Sequence, residues 1–146
     1  MKYTLDIDIQ VPRSRVIELF DSTENLKEWQ PGLISFDHVS GEPGEVGAKS
    51  KIVYRMGKRQ CEMIETITVK NLPDEFTGTY DSDGVWNEVK NRFVAVDDNT
   101  TKWVSDIEFK SDKLMIKLMM FLMPGMFKKE SLKFMQNFKA FAEREG

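Results

Sequence analysis

The stretch from Ser111 to Gly146 limits what the rest of the chain can be. After Pro124-Gly125 it carries Phe127, Phe134, Met135, Phe138, Phe141 and Ala142 along one stripe at helical spacing. Lys128, Lys129, Glu130, Lys133, Lys139, Glu143 and Arg144 fall mostly away from that stripe. A long helix so aromatic on one side needs a broad, concave apolar partner. A strongly twisted antiparallel sheet is such a surface. Before Pro124 lies Leu114–Met123, almost wholly apolar and rich in methionine.

The preceding chain supplies strands. Tyr3, Leu5, Ile7 and Ile9 alternate with Thr4, Asp6, Asp8 and Gln10, the period of a strand with one buried face. Val11-Pro12 ends it, and Pro12 suits the first turn of a helix through Asp21. Ser22-Thr23 can cap a second short helix, with Leu26 and Trp29 on one face, which Pro31-Gly32 terminates. From Leu33 to Phe109 strand and turn signals dominate. Strands are expected over Leu33–Val39, the alternating segment around Ile52, Tyr54 and Met56, Gln60–Lys70, Phe76–Tyr80, Val85–Val96 and Lys102–Phe109. The expected fold class is α+β: a curved seven-stranded antiparallel sheet around a long C-terminal helix, with two short helices after the first strand. At 146 residues this is a single domain, 1–146, large enough for a core without staples.

Parity names the inward side chains. Val85, Asn87, Val89, Asn91 and Phe93 oppose Trp86, Glu88, Lys90 and Arg92, and Trp103, Ser105, Ile107 and Phe109 oppose Lys102, Asp106, Glu108 and Lys110. Ile52, Tyr54 and Met56 join the inward set, as do Phe76 and Tyr80. Tyr54, Tyr80, Asn87, Asn91 and Ser105 are its polar members, and buried polar groups must find partners, whether one another, water or a ligand. Gln60–Val69 has no clean parity. If Cys61, Met63, Glu65 and Ile67 face inward, Glu65 becomes a carboxylate in an apolar interior with a raised pKa, the one candidate for acid–base chemistry.

Other features read as structure. The loop Gly41-Glu42-Pro43-Gly44-Glu45-Val46-Gly47 lacks the glycine before Lys49-Ser50, and the following helix, that a phosphate cradle needs. His38 and Cys61 offer no ligand spacing, so no metal or cofactor is expected. The acidic turns at Asp81-Ser82-Asp83 and Asp97-Asp98 lack a calcium loop's length and terminal glutamate. One cysteine, a net charge of −3 and no apolar leader in Met1–Asp6 point to a soluble cytoplasmic protein that does not bind nucleic acid. Leu114–Met123, interrupted by Lys117, has about half the ~20 apolar residues of a spanning helix, so no stable membrane insertion is expected. That segment reads as core, as a ligand lid hinged at Pro124-Gly125, or as a sticky surface for a membrane or a second subunit, which leaves a homodimer open.

The order of elements resembles the START/Bet v 1-like helix-grip superfamily (SRPBCC), which includes START domains, birch-pollen-type plant proteins and bacterial polyketide cyclases/dehydrases. The resemblance rests on the first strand leading into Val11–Phe20, on Leu26-Lys27-Glu28-Trp29-Gln30-Pro31, the Gly41–Gly47 loop, the Leu72-Pro73 break and the closing Phe134–Glu143 helix. It implies a cavity between sheet and helix for a lipid-, sterol- or polyketide-like molecule. The candidate lining is Tyr54, Met56, Tyr80, Asn87, Val89, Asn91, Phe93, Trp103, Ser105 and Ile107 from the sheet, with Met119, Met123, Phe127, Phe134 and Phe138 from the helical segment. Binding or transport of a small hydrophobic ligand is the first expectation. A cyclase- or dehydratase-like enzyme using Glu65 or a tyrosine, and an interaction module docking through its methionines, are the alternatives.

Overall fold

The computed structural model describes residues 1–146, with the side chain of Met56 outside the described set. Strands β1 (Lys2–Ile9), β2 (Leu33–Ser40), β3 (Lys49–Met56), β4 (Arg59–Asn71), β5 (Glu75–Ser82), β6 (Val85–Asp97) and β7 (Thr100–Ser111) form one sheet in the order β1-β7-β6-β5-β4-β3-β2. All neighbours are antiparallel. β2 to β7 are a simple meander. β1 pairs instead with the last strand, Leu5 opposite Ser105 and Ile7 opposite Trp103. The chain must therefore travel from one edge of the sheet to the other between β1 and β2. Helices α1 (Arg13–Phe20) and α2 (Leu26–Trp29), joined by a 3-10 turn at Thr23–Asn25, make that crossing over one end of the sheet. Gly32 ends it with φ +93°, where a Cβ would lie 2.7 Å from the Arg55 carbonyl oxygen, so only glycine fits.

Helix α4 (Pro124–Glu145) lies in the hollow of the sheet. Its C-terminal half buries Met135, Phe138, Phe141 and Ala142 against Ile9, Val11, Val16, Leu19, Trp29, Phe93 and Trp103. Phe20 sits among five aromatic rings, those of Trp29, Phe76, Phe93, Trp103 and Phe138, at centroid distances of 4.9 to 6.3 Å. Each large side chain withdrawn from water there contributes about 1.5–3 kcal/mol. The N-terminal half of α4 is held differently. The Tyr3 hydroxyl shares a 2.7 Å hydrogen bond with Ser131 Oγ and donates to the Phe127 carbonyl at 3.2 Å. Phe127 touches Phe109 (5.2 Å) and Phe134 touches Tyr54 (6.2 Å), yet Phe134 is partly exposed.

Helix α3 (Leu114–Leu122) overturns the reading of its segment as core. It has no buried residue and rests mainly on β7 and α4, as a ledge at the end of the sheet opposite α1 and α2. The glycine loop is a structural turn: Gly47 N–H donates to the Ile67 carbonyl at 2.8 Å, and Lys70 Nζ holds the Gly44 carbonyl at 2.7 Å.

Candidate functional site

β4 carries a bulge between Ile67 and Val69, which exchanges the faces of the residues after it. Before it, Glu65 stands opposite Tyr80, which stands opposite Asn87, which stands opposite Phe109. Directly opposed residues share a face, so one row crosses four strands on the side that grips α4. The neighbouring strand adds Tyr54, whose hydroxyl donates to Gln30 Oε1 at the end of α2. The Tyr80 ring leans along β5 over Gly78, its hydroxyl 3.6 Å from where a Cβ would be, and donates to Glu65 Oε2 at 2.9 Å.

Burial governs the protonation of this group. It is the largest cause raising the Glu65 carboxyl above the usual carboxylate range, and the Tyr80 hydrogen bond offsets part of that rise. Burial also pushes both phenols up, with the nearby Glu65 charge adding to each. The result is a half-buried carboxyl flanked by two neutral tyrosines. Beside it, Asn87 Oδ1 is buried with no hydrogen-bond partner. A buried acceptor without a donor costs about 1–3 kcal/mol. The other such atom among the described residues is Trp29 Nε1, within the aromatic cluster.

The expected lining residues divide into three groups. Asn91, Ser105 and Trp103 form a closed network: Asn91 Oδ1 accepts from Trp103 Nε1 at 2.9 Å and Ser105 Oγ at 3.0 Å, and its Nδ2 donates to the Phe76 carbonyl at 3.3 Å. With Phe93 and Phe138 they are packed protein interior, offering a ligand neither space nor a free polar atom. Tyr54, Tyr80, Asn87, Val89, Ile107, Phe127 and Phe134 lie on the sheet's inner face or the facing half of α4, around the polar row. Met123 is a correction: it is 52% exposed at the junction of α3 and α4, because the chain turns there before α4 enters the hollow. Met119 is half-buried on the packed side of α3, and Met56 lies outside the described side chains. Gln30 and Gly78 were missed. Neither belongs to an alternating polar set, and Gln30 reaches the row from a helix end.

An open depression of about 740 Å³ lies at the α3 end of the sheet, with Asp81, Asp83, Trp86, Phe109, Lys110 and Met120 in its wall. Phe109 is the direct partner of Asn87, but Asp81, Trp86 and Lys110 belong to the sheet's outer face, and Glu65, Tyr80 and Asn87 do not line the depression.

Solved structures share this architecture. A Thermus thermophilus protein superposes with a TM-score of 0.80 at 14% identity, covering 100% of this chain and 99% of its own. The Zhui aromatase/cyclase from Streptomyces gives 0.81 at 11% identity, over 99% and 94%. Norcoclaurine synthase from Thalictrum flavum, in complex with dopamine and hydroxybenzaldehyde, gives 0.75 at 10% identity, over 100% and 88%. This is the helix-grip fold of the Bet v 1-like proteins. No family model matches the sequence, and no curated relative does. Helix-grip architecture hosts unrelated functions, so the activity must be argued from the row itself.

Proposed function

We propose that this helix-grip protein binds a small amphipathic molecule whose polar end is a hydrogen-bond donor, such as a hydroxyl or phenol. The observation that carries this reading is the orphaned Asn87 Oδ1 beside the Tyr80–Glu65 pair. Both tyrosine protons are already committed, to Gln30 and Glu65. What remains for a ligand are acceptors, Asn87 Oδ1 and Glu65 Oε1. A donor reaching Asn87 would relieve its unmet hydrogen bond, and the rest of the ligand would lie against Phe109, Phe127 and Phe134. A few polar groups in an apolar wall are what orient a small ligand.

A second reading, a cyclase- or dehydratase-like enzyme, is favoured by one observation. Glu65 is a half-buried carboxyl with a raised pKa in contact with a phenol, which suits proton transfer to or from a bound carbonyl compound.

Native mass spectrometry of the freshly purified protein, followed by solvent extraction and binding of a panel of phenols and hydroxylated alicyclic compounds, tests the proposal. A bound hydroxylated species that weakens roughly tenfold or more in Asn87→Leu supports it, since a ligand donor then faces an apolar group. Equal affinity in the variant, or no binding by the wild-type protein across the panel, would sink it.

A further inference from the structure

Helix α3 is apolar on both its packed and its open side. At roughly 3.6 residues per turn, Ile116, Met119 and Met120 fall on one side, and these are its half-buried residues. Leu114, Leu118 and Phe121 fall on the opposite side, with Met115 and Leu122 flanking them, and all are exposed. Leu114 and Phe121 are 80% and 81% open to solvent. Met123 and Met126 carry the exposed apolar surface into the start of α4. Monomeric proteins seldom leave so continuous a patch bare without using it.

The charges around this patch say what it meets. Between Lys110 and Lys133 lie six lysines and two acids, Asp112 and Glu130, a net charge of +4 in a chain whose total is −3. Lys113 precedes α3, Lys117 borders its exposed face beside Phe121, and Lys128-Lys129 follow one turn into α4. Two of these are engaged: Lys113 pairs with the exposed Asp83 at 3.0 Å, and Lys128 Nζ lies 6.0 Å from the centre of the Tyr3 ring. A second copy of this chain is a poor occupant, because a two-fold contact sets the same patch against itself and would bring these lysines together. An anionic lipid surface matches both properties at once, apolar depth under α3 and negative charge around it.

We propose that α3 docks this protein on anionic lipid bilayers, lying in the interfacial plane with Leu114, Leu118, Phe121 and Leu122 inserted and the lysines on the headgroups. Nine residues span only about 14 Å, and no helix here is long and apolar enough to cross a membrane. The contact is peripheral. The docking itself stands independently of what the interior binds.

Co-sedimentation of the full chain with vesicles tests it. The comparison is phosphatidylcholine alone against a mixture with phosphatidylserine, at low and high salt. Binding to the mixed vesicles is expected, weak on phosphatidylcholine and falling with salt. Leu118→Glu with Phe121→Glu should lose at least about tenfold in affinity. Lys128→Ala and Lys129→Ala should each lose about fivefold on mixed vesicles only. These positions are exposed, so circular dichroism and unfolding should match the wild-type protein. The proposal is overturned if the wild type ignores mixed vesicles or the double glutamate variant binds them equally. It is also overturned if the wild type sediments as a dimer that the double glutamate variant dissociates, which assigns the face to a second copy.

Discussion

The two ends of the sheet–helix interior are built from similar residues and have opposite properties. Beneath the C-terminal half of α4, the rings of Phe20, Trp29, Phe93, Trp103 and Phe138 interlock, and the polar atoms of Asn91 and Ser105 are used up within the protein. Beneath the N-terminal half, Phe109, Phe127 and Phe134 surround a carboxyl with a raised pKa, two neutral phenols and an unpartnered amide oxygen. The cause of the difference is coverage. α1 and α2 cross one end on their way between the sheet's edges and fill it, whereas α3 only leans on the other. One end supplies the stability that lets the other remain incompletely satisfied.

The largest test of that division compares two phenylalanines one and a bit turns apart on α4. Phe138→Ala should cost about 3–5 kcal/mol, with a melting point roughly 10 °C lower or more, because its cavity would open among rings that cannot collapse into it. Phe134→Ala should cost about 1 kcal/mol, since solvent already reaches it and little cavity forms. Urea unfolding of both variants measures this. Equal losses would mean that the two ends are equally packed.

The paired asparagines come next. Asn91→Leu strands Trp103 Nε1, Ser105 Oγ and the Phe76 carbonyl, at about 1–3 kcal/mol for each group left without a partner. A loss of about 3 kcal/mol is expected. Asn87→Leu removes an acceptor that has no partner to lose and should change stability by less than about 1 kcal/mol, in either direction. The two substitutions are chemically identical and sit on one face of one strand. Their difference therefore reads the environments directly, and a matching loss at Asn87 would show that its amide is a structural group like Asn91.

The sequence made some of this visible for identifiable reasons. Alternation in β1, β6 and β7 marks the inner face, because each of those strands has one wet side. The α4 stripe marks the helix they enclose. The pairing of β1 with β7 had no local signal, since it joins residues a hundred positions apart. Glu65 was ambiguous because both faces of Gln60–Val69 mix polar and apolar residues, and its place on the inner face follows from its register opposite Tyr80. Asn87 and Asn91 look alike in the sequence, and only their neighbours separate them. α3 was legible in extent but not in orientation. A segment apolar all round looks the same whether its leucines face a core or the solvent, and here the side turned inward carries Met119 and Met120.

Glu65 gives the smallest effect and the sharpest diagnosis of the open end. Its carboxyl titrates higher in the folded chain than in the unfolded one, mainly through burial. Between the ordinary carboxylate value and the folded one, the native state holds the extra proton, so stability falls as pH rises through that window and the deficit is complete above it. Below the unfolded value both states are protonated and no deficit exists. Glu65→Gln keeps the shape and an acceptor for the Tyr80 hydroxyl but cannot ionise. It should therefore melt with the wild type in acid and above it at neutral pH, by roughly a degree or two. A melting difference that does not change with pH would mean the carboxyl is solvated in the native chain. The open end would then be wet rather than poised for a ligand's hydroxyl.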